Sequence, residues 1–346
     1  MILKKPILVI KFGTASITTP LQELDEAVIA AVAAQVSVLN KDYNIVLVSS
    51  GAVAAGKKKF KKYTGTLSER KAAAAIGNPI LLQTYAHYFA PYGISIAQSL
   101  CERHHFSNRS QFLQLQKTYQ ELWRNQVIPV ANENDVVSNL ELKFSDNDEL
   151  ATLIAVGFGA KLLLFSTSVP GVLDANGEII KEFKVMDSEA LSVAKKEKSA
   201  VGLGGMTSKL TFARLATQMG IKAIIFSGRT ENGIIDAING ETGTVCLPQS
   251  INISARKKWL ASGSLVRGQL QVDLGASKAL LKRHSLLAVG MVKVIKSFEA
   301  GEVFEILNMD LQTIAVAKSK IDSHLLEKME HKQNVEIAHA DDIVLI

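Results

Sequence analysis

The sequence predicts an α/β protein, with a mostly parallel sheet flanked by helices on both faces and a small, mainly β module at the C-terminus. Three observations carry that expectation. Short β-branched runs alternate with longer segments of helical periodicity up to about residue 250. The runs are continuously apolar instead of alternating, as strands buried on both faces are. After Arg256 the chain turns to short strands with only two short helical pieces.

Taken in order, the strands of the first part are ILVIKFG (7–13), NIVLVSSG (44–51), GISIAQS (93–99), QVIPVAN (126–132), KLLLFST (161–167) and KAIIFSG (222–228). Helical patterns occupy 21–39, 71–90, 108–125, 147–158, 187–198 and 206–219. A helix between successive strands is the connection that parallel pairing requires. LPQSINISARKK, polar after a proline, reads as a linker, which places one domain at 1–250 and a second at 256–346. In the second, GQLQVD, MVKVIKSF, GEVFEIL, QTIAVAKS and DIVLI read as strands, with helical pieces near 275–283 and 321–330.

Composition narrows the class. The 346 residues are 47% hydrophobic, enough to fill two cores. No stretch reaches the roughly 18 uninterrupted apolar residues of a membrane span, and the N-terminal apolar run is too short for a signal peptide. Cys101 and Cys246 stand far apart, which fits a reducing cytoplasm and gives neither a disulfide framework nor a thiolate metal site. The formal net charge of +6 is local: taking the five lysines of GKKKFKK (56–62) from the 39 Lys+Arg leaves 34 against 33 Asp+Glu. That loop reads as a solvated surface segment, or as an attractor of a phosphate-bearing partner.

The chemistry-bearing residues gather at strand ends, where open parallel sheets bind ligands. Lys11 to Thr14 closes the first strand, Ser49 to Ala52 the second, and Asn132 to Asp135 the fourth. A lysine there is costly to bury without an anionic partner. In VGLGGMTSKLTFARLATQMG (201–220), Gly202, Gly204 and Gly205 expose backbone N–H groups ahead of a helix N-terminus, a usual anion site, and Lys209 adds a full charge. The segment is neither a Walker A loop nor a G-x-G-x-x-G turn. Residues 132–150 hold six acids and one lysine. Capping and the helix dipole explain one or two of those around Ser145 to Glu149. Asp135 and Asn147 resemble a grip for a zwitterion, a carboxylate for an ammonium and an amide for a carboxylate. Asp148 either orients lysines around a phosphate or helps hold a metal. His104-His105 lacks the spacing of a helical zinc pair, no other metal-ligand set is expected, and no GxSxG nucleophile is present.

These residues carry a resemblance. KFGT at 11–14, VSSGAVAAG at 48–56, AAIGN at 74–78, PVANEND at 129–135, SDNDEL at 145–150, GMTSK at 205–209 and ARKKWL at 255–260 occur in that order. The chain thereby resembles the glutamate 5-kinase family of the amino acid kinase superfamily along nearly its whole length, and its C-terminal region resembles a PUA domain. The resemblance implies a carbamate kinase-like fold and transfer of the ATP γ-phosphoryl to the side-chain carboxylate of L-glutamate, with Mg²⁺. It implies that Ser50, Asp135 and Asn147 hold glutamate, that Lys11 and Lys209 contact the phosphates, and that Asp148 positions the lysines. Gly205, Met206, Thr207 and Ser208 would line the nucleotide side, together with Ser166 and Thr167. A homo-oligomer and feedback inhibition by proline belong to the same expectation.

The chain also departs from the family. Ser166-Thr167-Ser168 precedes Pro170-Gly171-Val172-Leu173 where Thr-Asp before a Gly-Leu-Tyr-like segment is usual, so an acid is missing beside the nucleotide. Asn78 stands where glutamine is common, and Ala15 where serine is. The alternatives are kinases of the same superfamily acting on acetylglutamate, aspartate or UMP, a kinase homologue weakened at its nucleotide site, and RNA binding through the tail. For the last, residues 256–346 carry 13 Lys+Arg against 11 Asp+Glu, too small an excess for a phosphate-tracking surface, so RNA is not expected as the main partner.

Overall fold

The computed structural model describes residues 5–102, 104–107, 109–137, 146–186, 205–249, 266–329 and 335–345. The expected helix at 187–198, the glycines at 202 and 204, Ser145, ARKKWL and all of the linker after Gln249 lie outside the described residues. The chain falls into two compact units, Met1–Ile251 and Asn252–Ile346.

The first unit is built on one eight-stranded sheet. Its strands are β1 (Ile7–Phe12), β2 (Asn44–Ser49), β3 (Ser95–Cys101), β4 (Val127–Glu133), β5 (Leu162–Thr167), β6 (Glu182–Phe183), β7 (Lys222–Ser227) and β8 (Thr244–Cys246). They lie in the order β3-β4-β2-β1-β5-β7-β8-β6. The six strands expected from sequence are contiguous and mutually parallel, and β8 then runs antiparallel to β7. Both β1 and β2 are buried at every position, which is why they read as unbroken apolar runs. Register sets Ser49 beside Phe12 and Phe12 beside Ser166, so the ends of the three central strands form one row, with Lys11 one residue behind it.

Helices α1 (Thr14–Ile17), α2 (Glu26–Leu39), α3 (Ala52–Lys57), α4 (Leu67–Phe89), α5 (His104–Ser107), α6 (Arg109–Arg124), α7 (Asn147–Phe158), α8 (Met206–Gln218) and α9 (Gly233–Asn239) connect the strands. Asp25 caps α2 by accepting from Val28 N. Thr66 and Glu69 close a reciprocal capping box at the start of α4, where hydrogen bonds, that of the Thr64 hydroxyl foremost, bring the Glu69 carboxyl down to about 2. Helix α7 is buried from Asp148 to Val156 and stops at Gly159, whose φ of +71° is the left-handed C-terminal turn glycine tolerates.

The turn after β2 is the most constrained piece of backbone near the sheet edge. Ser50 N donates to Phe12 O at 3.0 Å. Gly51, at φ +102°, then turns the chain into α3 through a conformation a side chain would strain. Helix α3 lies against α4 so closely that a Cβ on Gly56 would sit 1.9 Å from Ala73 O, and one on Gly77 would sit 1.7 Å from Ala52 O. The small-residue runs of VSSGAVAAG and AAAAIGN are therefore a packing requirement of two backbones in contact.

The second unit has its own core around Leu270, Phe298, Phe304, Ile306, Ala315 and Ile337. Five strands, β9 (Val266–Val272), β11 (Met291–Lys296), β12 (Val303–Leu307), β13 (Thr313–Lys318) and β15 (Ile343–Leu345), form one sheet, and the short β10 (Leu286–Leu287) and β14 (Glu336–Ala338) pair separately. Helices α10 (Leu274–Leu281) and α11 (Ser323–Lys328) fall in the two segments expected to be helical.

Gly77→Ala is expected to destabilise the protein by at least about 1–3 kcal/mol, the usual cost of overpacking, because the added methyl meets a backbone carbonyl that cannot move alone. The urea midpoint measures it, and an unchanged midpoint would contradict the contact.

Candidate active site

At the carboxyl edge of the central strands three charged side chains are buried together. Lys11, in β1, and Lys209, in the first turn of α8, each retain about 5% exposure or less, and Asp148, in the first turn of α7, has none. Lys11 Nζ lies 2.6 Å from Asp148 Oδ1, and Lys209 Nζ lies 3.1 Å from Asp148 Oδ2. One carboxylate thus holds two ammonium groups, one on each oxygen. Burial drives the Asp148 carboxyl up, but the charges of Lys11 and Lys209 outweigh it and hold it below the usual carboxylate range. Lys209 is displaced downward, first by burial and then by the neighbouring charge of Lys11, against the pull of Asp148.

Asp148 stands where it does because Asp146 caps α7. Asp146 Oδ1 accepts from Asp148 N at 2.9 Å and Glu149 N at 3.1 Å, and its other oxygen accepts from the Ser208 hydroxyl. The cap of one helix therefore ties down the first turn of another. Helix α8 begins at Gly205, which makes no side-chain cap hydrogen bond, and the positive end of its dipole lies at this edge. On the same edge Ser166 Oγ is buried without a partner among the described residues, and a Cβ on Gly228 would come within 2.1 Å of it. Thr167 follows, half-buried, with its carbonyl accepting from Gly228 N at 3.2 Å.

A polar group of a different kind lies on the β2 and β4 side. Asn147 Nδ2 donates to Ser50 Oγ at 2.9 Å and to Asn132 Oδ1 at 3.0 Å, and Asn132 Nδ2 donates to Asn78 Oδ1 at 3.1 Å. Asp135, half-buried, follows β4 in a turn whose Asn134 side chain donates to Glu102 Oε1 at 2.9 Å. Asn147 and Asp148 are neighbours at the start of α7, so the amide group and the lysine centre are joined through one helix terminus.

The structure brings Lys11, Asp148, Lys209, Ser208, Ser50 and Asn147 into one connected set through these contacts. Gly205, Met206 and Thr207 share the first turn of α8, and Asp135 and the Ser166–Thr167 pair stand at the ends of β4 and β5 on the same sheet edge. Sequence reasoning gave Asn132 no role beyond a strand end, Asn78 none beyond a departure from the family and Asp146 none beyond a cap, and it did not name Arg229. Asp146 reads as a cap, which it is, and nothing local marks its second bond to Ser208. Arg229 donates to Ala15 O and Thr18 O and pairs with Asp25 Oδ2 at 3.1 Å, fixing the loop after β1 from the end of β7. Both cysteines are buried, with burial pushing the Cys101 thiol up to about 11 and the Cys246 thiol up to about 12, so neither offers a nucleophile.

A mostly parallel sheet with two lysines bridged by a carboxylate at its carboxyl edge, beside a helix N-terminus, forms a site of the class suited to a phosphate-bearing ligand. A model of the Amino acid kinase family matches residues 6–227, and one of the PUA domain matches residues 268–340. Among solved structures, carbamate kinase from Giardia lamblia bound to AMP-PNP superposes with a TM-score of 0.53 over 71% of this chain and 99% of that one, at 20% identity, a likeness of fold. Closer in sequence, the chain is 35% identical over 98% of its length to glutamate 5-kinase of Vibrio vulnificus, covering 96% of that protein. It is 36% identical to glutamate 5-kinase of Nitrosomonas eutropha and 32% identical to that of a Thermoanaerobacter species, again over 98% of its length and 97% of theirs. The chain belongs to the amino acid kinase family, on its glutamate 5-kinase branch.

Because the folded site displaces Lys209 below the ordinary lysine value of 10.5, its proton leaves earlier than a free lysine's as pH rises. The rate of the catalysed reaction is therefore expected to fall on an alkaline limb whose apparent pKa lies below 10.5. Lys209→Arg, which keeps its charge, should move that limb upward while lowering the plateau. A pH–rate profile with the limb in the same place for both proteins would separate Lys209 from it.

Proposed function

We propose that this site transfers the γ-phosphoryl group of ATP to the side-chain carboxylate of L-glutamate, giving L-glutamyl 5-phosphate, the first step of proline biosynthesis. The single observation that carries the reading at the level of the site is the pair of buried ammonium groups held at 2.6 and 3.1 Å by Asp148. A glutamate side chain, with a pKa of about 4.3, is already ionised at neutral pH, so no general base is required. The obstacle is the approach of one anion to another, and catalysis is positioning and charge neutralisation. Lys11 and Lys209 supply two cationic contacts to the transferring group and the nucleotide phosphates. Asp148 sets the spacing between them and offsets their mutual repulsion.

Gly205, Met206, Thr207 and Ser208 line the nucleotide side through the α8 N-terminus, with Ser166 and Thr167 opposite. Ser50, Asp135 and Asn147 hold the amino acid. Mg²⁺ would arrive with the phosphates: both Asp148 oxygens are engaged by lysines, and no group of three His, Cys, Asp or Glu among the described residues could hold an ion. No step of the transfer is assigned to a protein-held metal. From the same family relationship we propose a homo-oligomer with proline as feedback inhibitor, a kinase domain at 1–250, and an accessory, not primarily RNA-binding, role for 256–346. No described helix is long and apolar enough to cross a membrane.

The test is ATP consumption with L-glutamate in the presence of hydroxylamine, which traps an acyl phosphate as the hydroxamate. Hydroxamate should form with L-glutamate and not with acetylglutamate or aspartate, and ATP should not be consumed with UMP, which has no carboxyl group to trap; the opposite preference in either measurement would replace this reading by another kinase of the family. Lys209→Ala is expected to cut turnover by about 10²-fold or more, the scale of losing one preorganised charge contact, with an intact thermal transition. Asp135→Ala should instead raise the glutamate requirement. Removal of 256–346 should leave a soluble, folded kinase domain, and loss of all soluble protein would refute the division.

A further inference from the structure

We infer that Asn132 is a positioning residue that holds Asn147 with its carbonyl oxygen toward the substrate, so that this side of the pocket selects an ammonium group. The inference rests on the amino acid site proposed above, and it reassigns the Asn147 amide from a carboxylate to the ammonium.

The argument starts from one backbone group that can only donate. Glu133 N–H meets the Asn132 side chain at 2.9 Å, so the atom it meets is Oδ1 and not the amide nitrogen. With Asn132 fixed in that sense, its Nδ2 points the other way and donates to Asn78 Oδ1 at 3.1 Å. The same Asn132 oxygen faces the Asn147 side chain at 3.0 Å, so Asn147 must present its nitrogen there. Turning the Asn147 amide over would set two carbonyl oxygens against each other at that distance. One peptide N–H thus settles the orientation of three buried amides in series.

The consequence is at both ends of the chain. Asn147 Oδ1 is shielded from solvent and has no hydrogen-bond partner among the described residues. An unpartnered buried oxygen is an acceptor in want of a donor, and the zwitterionic part of an amino acid offers one donor group, its ammonium. Ser50 complements this, because a hydroxyl that accepts from Asn147 Nδ2 keeps its own proton to give to a carboxylate. At the other end Asn78 Nδ2 is also without a partner among the described residues, beside a cavity of about 10 Å³ lined by Asn78, Leu81, Leu82, Gln98, Val130 and Asn132, room for one water at most. Asn132 engages its oxygen with Glu133 N and Asn147 Nδ2 and its nitrogen with Asn78, so it acts through Asn147, and Asn78 acts through Asn132.

The experiment compares wild-type protein with Asn132→Leu, Asn132→Asp and Asn78→Leu. It measures KM for L-glutamate and ATP, and inhibition by two analogues, glutarate, which lacks the ammonium, and 4-aminobutyrate, which lacks the α-carboxylate. Asn132→Leu should raise KM for L-glutamate and Ki for 4-aminobutyrate by a common factor of about 10, the scale of one lost hydrogen bond to a charged group. Ki for glutarate and KM for ATP should stay within about twofold of wild type. Asn132→Asp keeps an acceptor for both Glu133 N–H and Asn147 Nδ2 and should restore most of the loss. Asn78→Leu, one step further out, should give the same pattern at about threefold, and it carries the test if Asn132→Leu does not fold. The inference is overturned if the loss falls on glutarate in place of 4-aminobutyrate, if both analogues move equally, or if Asn132→Asp behaves as Asn132→Leu. Absence of wild-type turnover on L-glutamate would overturn the functional reading first and this inference with it.

Discussion

A single buried carboxylate, Asp148, makes the rest of the site physically tolerable. Two ammonium groups taken out of water beside one another would repel and lose their hydration, and each would shed its proton. With one on each oxygen of Asp148 the cluster carries a net single positive charge, solvated by contacts in place of water. That residual charge is what an incoming phosphate completes. The helix termini act in the same sense. Asp148 lies in the first turn of α7, where the dipole favours a carboxylate, and the N-terminus of α8 lies at the same edge, its N-cap Gly205 making no side-chain hydrogen bond.

The scaffold's part is to bring four chain segments to one edge without slack. Parallel register aligns the ends of β1, β2 and β5. The buried Tyr85 hydroxyl, 3.0 Å from Ser49 Oγ, ties the end of β2 to α4, and the glycine contact between α3 and α4 fixes the turn that carries Ser50. Arg229 spans from the end of β7 to the loop after β1. A loosened contact among these would alter the angle at which the lysines or the amides are presented, not their identity.

Much of this was legible in the sequence for a definite reason. Strands buried on both faces leave an unbroken apolar signature, and their ends are marked by the polar residues that follow, so Lys11, Ser50 and Asp135 could be placed at strand ends before any coordinates. Asp148 and Lys209 stood out because charges next to glycine or helix-start patterns need an explanation. What was not legible depended on contacts remote in sequence. Asn78 and Asn132 are 54 positions apart, and their bond depends on α4 packing against β3, the neighbour of β4 in the sheet. Asp146 looked like a cap and nothing more, and the second oxygen's contact with Ser208 spans 62 positions. β6 and β8 are two and three residues long, too short to show a period. The lysine-rich loop shows the converse: Lys57 donates to Gln22 and Lys58 pairs with Glu23, so part of its charge serves a neighbouring loop.

The departures from the family pattern can be weighed by the same accounting of charge. Ala15 for serine and Asn78 for glutamine exchange neutral groups and leave the lysine–carboxylate centre untouched. The acid missing from the Ser166-Thr167-Ser168 stretch at the end of β5 is different in kind, because a group that only accepts hydrogen bonds gives way to a hydroxyl that both donates and accepts. In the proposed site that acid would stand on the nucleotide side, away from the amides assigned to the amino acid. Its loss removes one negative charge from the surroundings of a polyanion, which favours binding, and one strong acceptor for hydroxyl or amino groups of a nucleoside, which opposes it. The two effects act on different parts of the nucleotide, phosphates and nucleoside. On the proposed reading the substitution therefore bears on which nucleotide is held and how tightly, while Lys11, Asp148 and Lys209, the residues assigned to the transfer, are all present.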